Sequence, residues 1–243
     1  MASLMGKKVV VVGGSSGIGL GVASAALARG AELVIIGRSQ DKLLKARRAL
    51  SSDDQIKTVT ADMTLEHEIA AAFAGIGAFD HLVSTAGTPP PGDPIAETDA
   101  DKVRRFVDNK LIGAVLLSKH AARKLRPGGS MTFTSGINKD KPPVPGGAVV
   151  SAIAGSFSYF ARALSLELAP TRVNIVSPGW VDTPMFDELV GDAKASYFEA
   201  MAARLPVGRI AAPADVASAY IHAMESDFTT GETLHVDGGQ RLI

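Results

Sequence analysis

Residues 9–19 read Val-Val-Val-Val-Gly-Gly-Ser-Ser-Gly-Ile-Gly, and an alanine-rich stretch then continues to Arg29. Four β-branched residues in succession favour a buried strand, and the glycines after them permit a tight turn into a helix. The first turn of a helix presents unpaired backbone N–H groups and a partial positive charge, which bind phosphate. The stretch therefore predicts a strand, a phosphate-binding turn and a helix, and a dinucleotide cofactor is the first hypothesis.

Short β-branched runs alternate with amphipathic or alanine-rich segments along the whole chain. The pattern predicts strands at 7–12, 32–36, 56–60, 81–84, 130–134, 172–176 and 233–236, and helices at 17–29, 40–50, 64–74, 100–126, 150–168 and 213–225. Such alternation is typical of a parallel sheet covered by helices on both faces. We predict an α/β fold with a Rossmann-type doubly wound parallel sheet of about seven strands. No linker or repeat interrupts the pattern, so a single domain over residues 1–243 is expected.

The composition narrows the range of partners. Lys and Arg together number 25 and so do Asp and Glu, so no net charge attracts the chain to nucleic acid or an anionic membrane. No apolar run is expected to reach the roughly 18 residues that cross a bilayer. Cysteine is absent, which excludes disulfides and thiolate chemistry and suits a reducing cytoplasm. His67, between Glu66 and Glu68, lacks metal-site spacing, so no metal site is predicted.

The glycine spacing and the end of the second strand bear on the type of cofactor. Gly13-x-x-x-Gly17-x-Gly19 departs from the commonest dinucleotide pattern, and an ordinary tight turn is the alternative reading. The second strand ends at Gly37-Arg38, where folds of this kind contact the ribose. An acidic residue there would repel a 2′-phosphate, whereas a guanidinium binds one. NADP is therefore favoured over NAD, with a solvated surface charge as the alternative for Arg38.

Two further strand ends carry candidate cofactor contacts. Asp62 follows the third strand, where its carboxylate could accept a hydrogen bond from an adenine amino group. The same side chain could instead cap a helix beginning near Thr64, and the two roles are compatible. The fourth strand ends in Ser-Thr-Ala-Gly at residues 84–87, small residues that would let a cofactor pass the sheet edge.

Taken in order, these motifs resemble the short-chain dehydrogenase/reductases of the 3-oxoacyl-carrier-protein reductase type over nearly the whole chain. The resemblance implies an NADP(H)-binding oxidoreductase, with NADPH preferred over NADH, that acts on a small-molecule carbonyl or alcohol. The cofactor-binding residues that it implies are Gly13, Ser15, Ser16, Gly17, Ile18 and Gly19 around the pyrophosphate and ribose, Arg38 at the 2′-phosphate, Asp62 and Met63 at the adenine, Ala86 and Gly87 along the cofactor's path, and Pro178, Val181 and Thr183 at the nicotinamide carboxamide.

The resemblance is incomplete at the catalytic residues. In the family a tyrosine transfers the proton, a lysine four residues later lowers its pKa, a serine orients the carbonyl group and an asparagine supports a proton-relay water. The serine and asparagine correspond to Ser135 and Asn109. Counting back from residues 166–170 places the tyrosine and lysine at Val150 and Ala154, and counting forward from Ser135 gives Ala148 and Ala152. No proton donor stands at either pair of positions.

Substitutes for the missing pair are few. Tyr159 lies nine positions beyond Val150, which puts it on the opposite face of a helix. Lys139 and Lys141 follow Ser135 in a loop and reach the site only if that loop folds inward; otherwise they are solvated charges. The leading hypothesis is an atypical NADP-dependent oxidoreductase with weak or altered carbonyl reduction. The alternative is a catalytically silent protein that binds or senses NADP(H).

The resemblance also implies an assembly. Helices near 100–126 and 150–168 resemble those that the family packs into a four-helix dimer interface, and the apolar C-terminus at 241–243 resembles a second interface. A homotetramer is therefore expected, with a homodimer next.

Overall fold

The computed structural model describes residues 4–50 and 56–243. Within these ranges, strands pairing in parallel form a seven-stranded sheet of order β3-β2-β1-β4-β5-β6-β7. The strands are β1 (Lys8–Val12), β2 (Glu32–Gly37), β3 (Ile56–Thr60), β4 (Phe79–Ser84), β5 (Leu125–Thr134), β6 (Arg172–Pro178) and β7 (Thr233–Val236). The strand order reverses beside β1, so the predicted Rossmann-type α/β fold is confirmed. Residues 1–3 and 51–55 of the predicted single domain lie outside the described residues.

Helices cover both faces of this sheet. They are α1 (Gly17–Leu27), α2 (Gln40–Leu50), α3 (Glu66–Ile76), α4 (Ala100–Val107), α5 (Gly113–Ala121), α6 (Gly147–Glu167), α7 (Pro184–Val190), α8 (Lys194–Ala202) and α9 (Pro213–Glu225). A short π-helical segment, Asp108–Ile112, joins α4 to α5 and is called the π-turn below.

The sequence prediction was wrong in three places. The helix predicted at 100–126 is interrupted by the π-turn and ends at Ala121. Strand β5 starts at Leu125, well before 130, because the Pro-Gly-Gly at 127–129 forms an irregularity within the strand rather than a turn before it. Helices α7 and α8 were not predicted because neither buries a residue, and so neither has a periodic apolar face.

The valines of β1 explain the layered core. Val10 and Val12 pack on one face of the sheet with residues of α3, α5 and α6. Val9 and Val11 pack on the other face with residues of α1 and α9. Side chains alternate between the faces of a strand, so a strand buried on both faces has apolar residues without alternation.

Helix α6 corrects the expectation that no apolar run is long enough to cross a bilayer. It has 21 residues and a mean hydropathy of 1.3, so it is long and apolar enough to span a membrane. It is also a covering helix of the sheet, since Val150, Ala154, Phe157, Ala161 and Leu164 are buried at helical spacing. A helix that is buried in a protein core can have the same length and mean hydropathy as a helix that spans a membrane. Its opposite face exposes Tyr159 and Leu166.

Asp80 joins three strands at the amino edge of the sheet. Its carboxylate accepts hydrogen bonds from the Lys8 backbone N–H at 2.8 Å and from Arg126 Nη1 at 2.7 Å, and Lys7 Nζ lies at 3.5 Å. Burial raises the pKa of the Asp80 carboxyl, but the hydrogen bonds and the charges of Arg126 and Lys7 outweigh burial and hold it below 3.8. The folded state therefore favours the ionised form. This contribution to stability is present above that pH and is lost as the pH falls through the folded-state pKa.

Asp80→Asn is expected to lower the free energy of unfolding at neutral pH by about 1.5–3 kcal/mol, the range for hydrogen bonds to charged groups. The difference from wild type should shrink as the pH falls below 3.8, because protonated Asp80 loses the same interactions. Urea unfolding at both pH values measures this. Asp101→Asn is the control, since its pair with Arg104 is exposed and worth less than about 1 kcal/mol. A pH-independent deficit in Asp80→Asn would contradict the assignment.

Candidate functional site

A cleft of about 570 Å³ lies at the carboxyl edge of the sheet. Loops after β1, β2, β3, β4 and β6 line it, together with the π-turn. Ligand sites of about 300–1,000 Å³ are typical, and doubly wound sheets bind ligands at this edge where the strand order reverses. The volume and position both fit an extended small molecule such as a dinucleotide.

The glycine turn after β1 forms the floor of the cleft. Gly13 has φ +84°, and a Cβ there would come 2.7 Å from the backbone nitrogen of Ala86. A Cβ on Gly19 would overlap the carbonyl oxygen of Gly13. Only glycine fits at these two positions, because the turn packs against its own backbone and against the loop after β4.

The start of α1 faces the cleft and fits an anion. Ser15, Ser16 and Ile18, which the sequence predicted, line the cleft with Gly17. Within the described part of the chain, the Ser16 side chain makes no cap hydrogen bond to α1. The N–H groups of the first helical turn are thus left for a ligand, and the pyrophosphate of a dinucleotide matches this cradle.

The end of the cleft beside β2 is cationic. Arg38 lies there as predicted, exposed and without a hydrogen bond or ion pair to any described residue. Ser39 and Lys42 also line this end, and sequence reasoning missed both. Lys42 stands in the first turn of α2, where a cation opposes the helix dipole; this position was the available signal. The two cations and the Ser39 hydroxyl fit a phosphate group on the ribose.

The structure separates the two residues predicted at the adenine. Met63 is buried and lines the cleft with Ala61, whereas Asp62 does not line it. Asp62 Oδ1 accepts hydrogen bonds from the Thr64 backbone N–H at 2.9 Å and the Thr64 hydroxyl at 2.8 Å. Helix α3 begins only at Glu66, so Asp62 forms a local turn before the helix rather than its N-cap.

The predicted nicotinamide contacts are also placed unequally. Thr183 lines the cleft at the start of α7, and Ala86 and Gly87 line it after β4. Pro178 ends β6 outside this lining. Val181 is 3% exposed, belongs to the core and pairs through its backbone with Ala211.

Helix α7 adds cleft residues that the sequence did not predict. Met185 and Glu188 line the cleft beside Thr183. Lys194 bridges Asp182 and Asp187 at 2.6 Å each and so fastens α8 to the start of α7. Because both helices are short and mostly exposed, these contacts hold the segment that borders the cleft.

Ser135 and Ala154 meet between β5 and α6, and neither is among the residues described as lining the cleft. Ser135 Oγ donates a hydrogen bond to the backbone oxygen of Ala154 at 2.7 Å. A hydroxyl has one hydrogen, so in this arrangement Ser135 can accept from a ligand but cannot donate to it. Val150 and Ala154 are buried, whereas Ala148 and Ala152 are exposed. Of the two ways of counting, the one that selects Val150 and Ala154 therefore gives the positions on the inner side of α6.

Asn109 occupies the π-turn and lines the cleft. Its side chain is buried, and Oδ1 has no hydrogen-bond partner among the described residues. Short π-helical segments are frequent at functional sites, and an unpaired buried amide oxygen costs free energy unless a ligand or water donates to it. Asn109 is thus arranged to accept a hydrogen bond at the cleft.

The candidate substitutes from the loop after Ser135 lie elsewhere. Lys139 Nζ contacts Asp140 at 2.6 Å and approaches His235 Nε2 at 3.1 Å. Burial raises the pKa of Asp140, but Lys139 and His235 outweigh burial and lower it. Lys139 and Lys141 are not among the residues described as lining the cleft. Tyr159 is 74% exposed, which confirms its place on the outer face of α6.

Comparison with known proteins adds relatives that match over the full length. The family model described as Enoyl-(Acyl carrier protein) reductase matches residues 12–241. The short-chain dehydrogenase/reductase malC of Malbranchea aurantiaca is 32% identical over 98% of this chain and 96% of its own. Its solved structure, described as a reductase/Diels-Alderase, has a TM-score of 0.91 at 31% identity, covering 99% of this chain and 98% of that chain.

Two further proteins resemble the chain as closely in sequence. The 3-oxoacyl-[acyl-carrier-protein] reductase of Homo sapiens is 33% identical over 98% of this chain and 100% of its own. A small-chain dehydrogenase solved in complex with NADPH has a TM-score of 0.82 at 31% identity, covering 98% of this chain and all of that chain.

Gly13→Ala is expected to weaken dinucleotide binding by about tenfold, because a left-handed backbone costs an alanine about 1–2 kcal/mol and the Cβ meets Ala86. Titration of NADPH fluorescence measures the loss. Gly75→Ala is the matched control, since a Cβ there, on α3, has nothing within 4 Å. Unchanged binding by Gly13→Ala would show that the turn does not hold the nucleotide.

Proposed function

Because the chain belongs to the short-chain dehydrogenase/reductase family, we propose that it is an NADPH-dependent oxidoreductase acting on a small-molecule carbonyl or alcohol without the usual tyrosine–lysine pair. The observation that supports this most is one cleft that joins a phosphate-binding turn to two cations at the ribose end. Asn109 lies on the same cleft, whereas Ser135 is not among the residues described as lining it.

Different residues of the cleft bind different parts of the cofactor. The turn at 13–19 and the first N–H groups of α1 bind the pyrophosphate, and Met63 packs at the adenine. Arg38 and Lys42 bind the 2′-phosphate, which NADPH has and NADH lacks. Thr183 and Met185 line the cleft at the start of α7. When bound there, the reduced nicotinamide supplies the hydride.

Val150 and Ala154 limit the chemistry of this site. Neither side chain carries a proton that can be transferred, and both are buried. General acid catalysis contributes about 10²–10⁴ to a rate. Carbonyl reduction is therefore slow, or it relies on a proton donor other than the family's tyrosine.

A catalytically silent protein that binds or senses NADP(H) is the second candidate. The observation that favours it is the joint replacement at Val150 and Ala154, with the Ser135 hydroxyl donating to the Ala154 carbonyl. A protein with these features would keep the nucleotide cleft and lose proton transfer. The activity test below separates the two candidates.

The proposal includes an assembly and a compartment. Tyr159 and Leu166 on α6 and Val115 on α5 are exposed apolar residues, as is Leu242 near the C-terminus. These surfaces support a homotetramer, or a homodimer formed through the helices. The absence of cysteine is compatible with a reducing cytoplasm.

The direct test follows NADPH oxidation with a panel of ketones, aldehydes, quinones and imines, alongside NADPH binding. Oxidation that requires both the protein and a carbonyl compound is the expected result. Tight binding without oxidation across the panel would favour the silent candidate. Absence of binding would overturn both.

Arg38→Leu is expected to weaken NADPH binding by about 10–100-fold and to leave NADH binding nearly unchanged, because a charge-assisted hydrogen bond to the 2′-phosphate is worth about 1.5–3 kcal/mol. Paired titrations with the two nucleotides measure the preference. Arg48→Leu is the control, since Arg48 is an exposed guanidinium in the last turn of α2, the helix that follows Arg38. An equal loss for both nucleotides would contradict the assignment of Arg38 to the 2′-phosphate.

A further inference from the structure

Lys110 follows Asn109 in the π-turn and brings an ammonium group against Gly87, a residue of the cleft wall, although Lys110 is not itself among the residues described as lining the cleft. A Cβ built on Gly87 would lie 3.0 Å from Lys110 Nζ and 3.2 Å from its Cε. Gly87 lines the cleft with Ala86 and Asn109. The lysine side chain therefore ends against the loop after β4, close to the residues that border the inner part of the cleft.

This ammonium group has no protein partner. Within the described ranges, Lys110 makes no hydrogen bond or ion pair, although its side chain is partly buried. Burial is the cause that lowers the pKa of Lys110 from 10.5 to about 8. Three N–H donors are thus held at low hydration beside the cleft with nothing in the described chain to accept them.

No charged neighbour contributes to this pKa among the described residues. The π-turn packs against α4, α5 and α6, and Nζ lies against the loop after β4. The charged and titratable groups on these elements and within the π-turn are Asp93, Asp101, Lys102, Arg104, Arg105, Asp108, Lys119, His120, Tyr159, Arg162 and Glu167.

Other titratable groups near the sheet are committed to the fold. The Tyr220 hydroxyl bonds Thr134 Oγ1 at 2.5 Å in the core, and burial raises its pKa. His81 bonds Ser130 at 2.9 Å within the sheet, and burial lowers its pKa to about 4. Like Lys110, neither is among the residues that line the described cleft. Lys110 differs because its donors are not used by the fold.

We propose that Lys110 is the proton donor of the carbonyl reduction, in place of the tyrosine that Val150 replaces. This rests on the proposed function. The hydride from the bound reduced cofactor forms a C–H bond at the carbonyl carbon while the C=O π bond breaks. The oxygen takes a proton from Lys110 Nζ to form the alcohol O–H. The cofactor is oxidised by two electrons and the carbonyl reduced by two, and the neutral amine regains its proton from water.

The neighbouring residues fit this role. Ala154 ends at its Cβ on the inner side of α6, which packs against the π-turn. Gly87 has no side chain, and even a methyl group there would crowd Nζ. Ser135 accepts but does not donate in this arrangement, so it does not compete with Lys110 as a proton donor.

The test compares Lys110→Met and Lys110→Arg with the wild type in single-turnover reduction of a carbonyl compound that the wild type accepts. The wild-type rate should be constant at lower pH and should fall above about pH 8, where the ammonium is lost. Lys110→Met should be at least about 100-fold slower and independent of this ionisation. Lys110→Arg, which keeps its charge, should show no fall there. Lys119→Met, on the exposed part of α5, is the matched control and should behave as wild type.

A second readout does not depend on turnover. Competitive acetylation followed by mass spectrometry should give Lys110 a reactivity midpoint near pH 8, and NADPH should protect Lys110 but not Lys119. The Kd for NADPH of Lys110→Met should stay close to that of the wild type. Circular dichroism of each variant verifies that it folds.

The outcomes separate this assignment from the proposed function. Wild-type rate and pH profile in Lys110→Met would overturn the assignment and leave the reductase standing. A Kd for NADPH that rises as far as the rate falls would make Lys110 a cofactor ligand and would also overturn it. A labelling midpoint near 10.5 would show that the ammonium is hydrated rather than buried against Gly87, and would overturn the assignment. A wild type that binds NADPH but reduces nothing would overturn both.

Discussion

Burial of β1 on both faces determines where ligands can reach this chain. Val9, Val10 and Val11 are inaccessible to solvent, because α1 and α9 cover one face of the sheet and α3, α5 and α6 cover the other. A ligand can therefore reach this part of the chain only beyond the end of β1, where the backbone turns at Gly13 and enters α1. The loops after β2, β4 and β6 end at the same edge because all strands run parallel. The nucleotide cleft is a consequence of that arrangement.

The parts of the site that sequence predicted are the glycine turn after β1 and the residues that directly follow strand ends. Gly13 and Gly19 could be recognised because the turn is packed so closely that only glycine fits at these positions. Arg38 could be recognised because the end of the second strand has a fixed place in such a sheet. The sheet itself followed from β-branched runs whose burial on both faces removes alternation.

The parts that sequence did not predict depend on side-chain direction or on weak local patterns. Whether Ser135 donates to a ligand or to Ala154 depends on how β5 packs against α6. The spacing of residues in the sequence does not reveal this packing. The π-turn has no characteristic composition, so nothing in the sequence distinguishes Lys110 from an ordinary lysine of a helix. Helices α7 and α8 bury none of their residues, so their sequences lack a periodic apolar pattern. Without that pattern the helix that brings Met185 and Glu188 to the cleft was not predicted.

The contact between Gly87 and Lys110 has an evolutionary consequence. A methyl group at position 87 would lie 3.0 Å from the end of the lysine, so a larger residue there requires the lysine to move. Relatives with a larger residue at position 87 should carry a shorter one at position 110, and those with a long residue at position 110 should keep glycine at position 87. Substitutions at the two positions are therefore expected to be coupled through this contact, independently of any substrate.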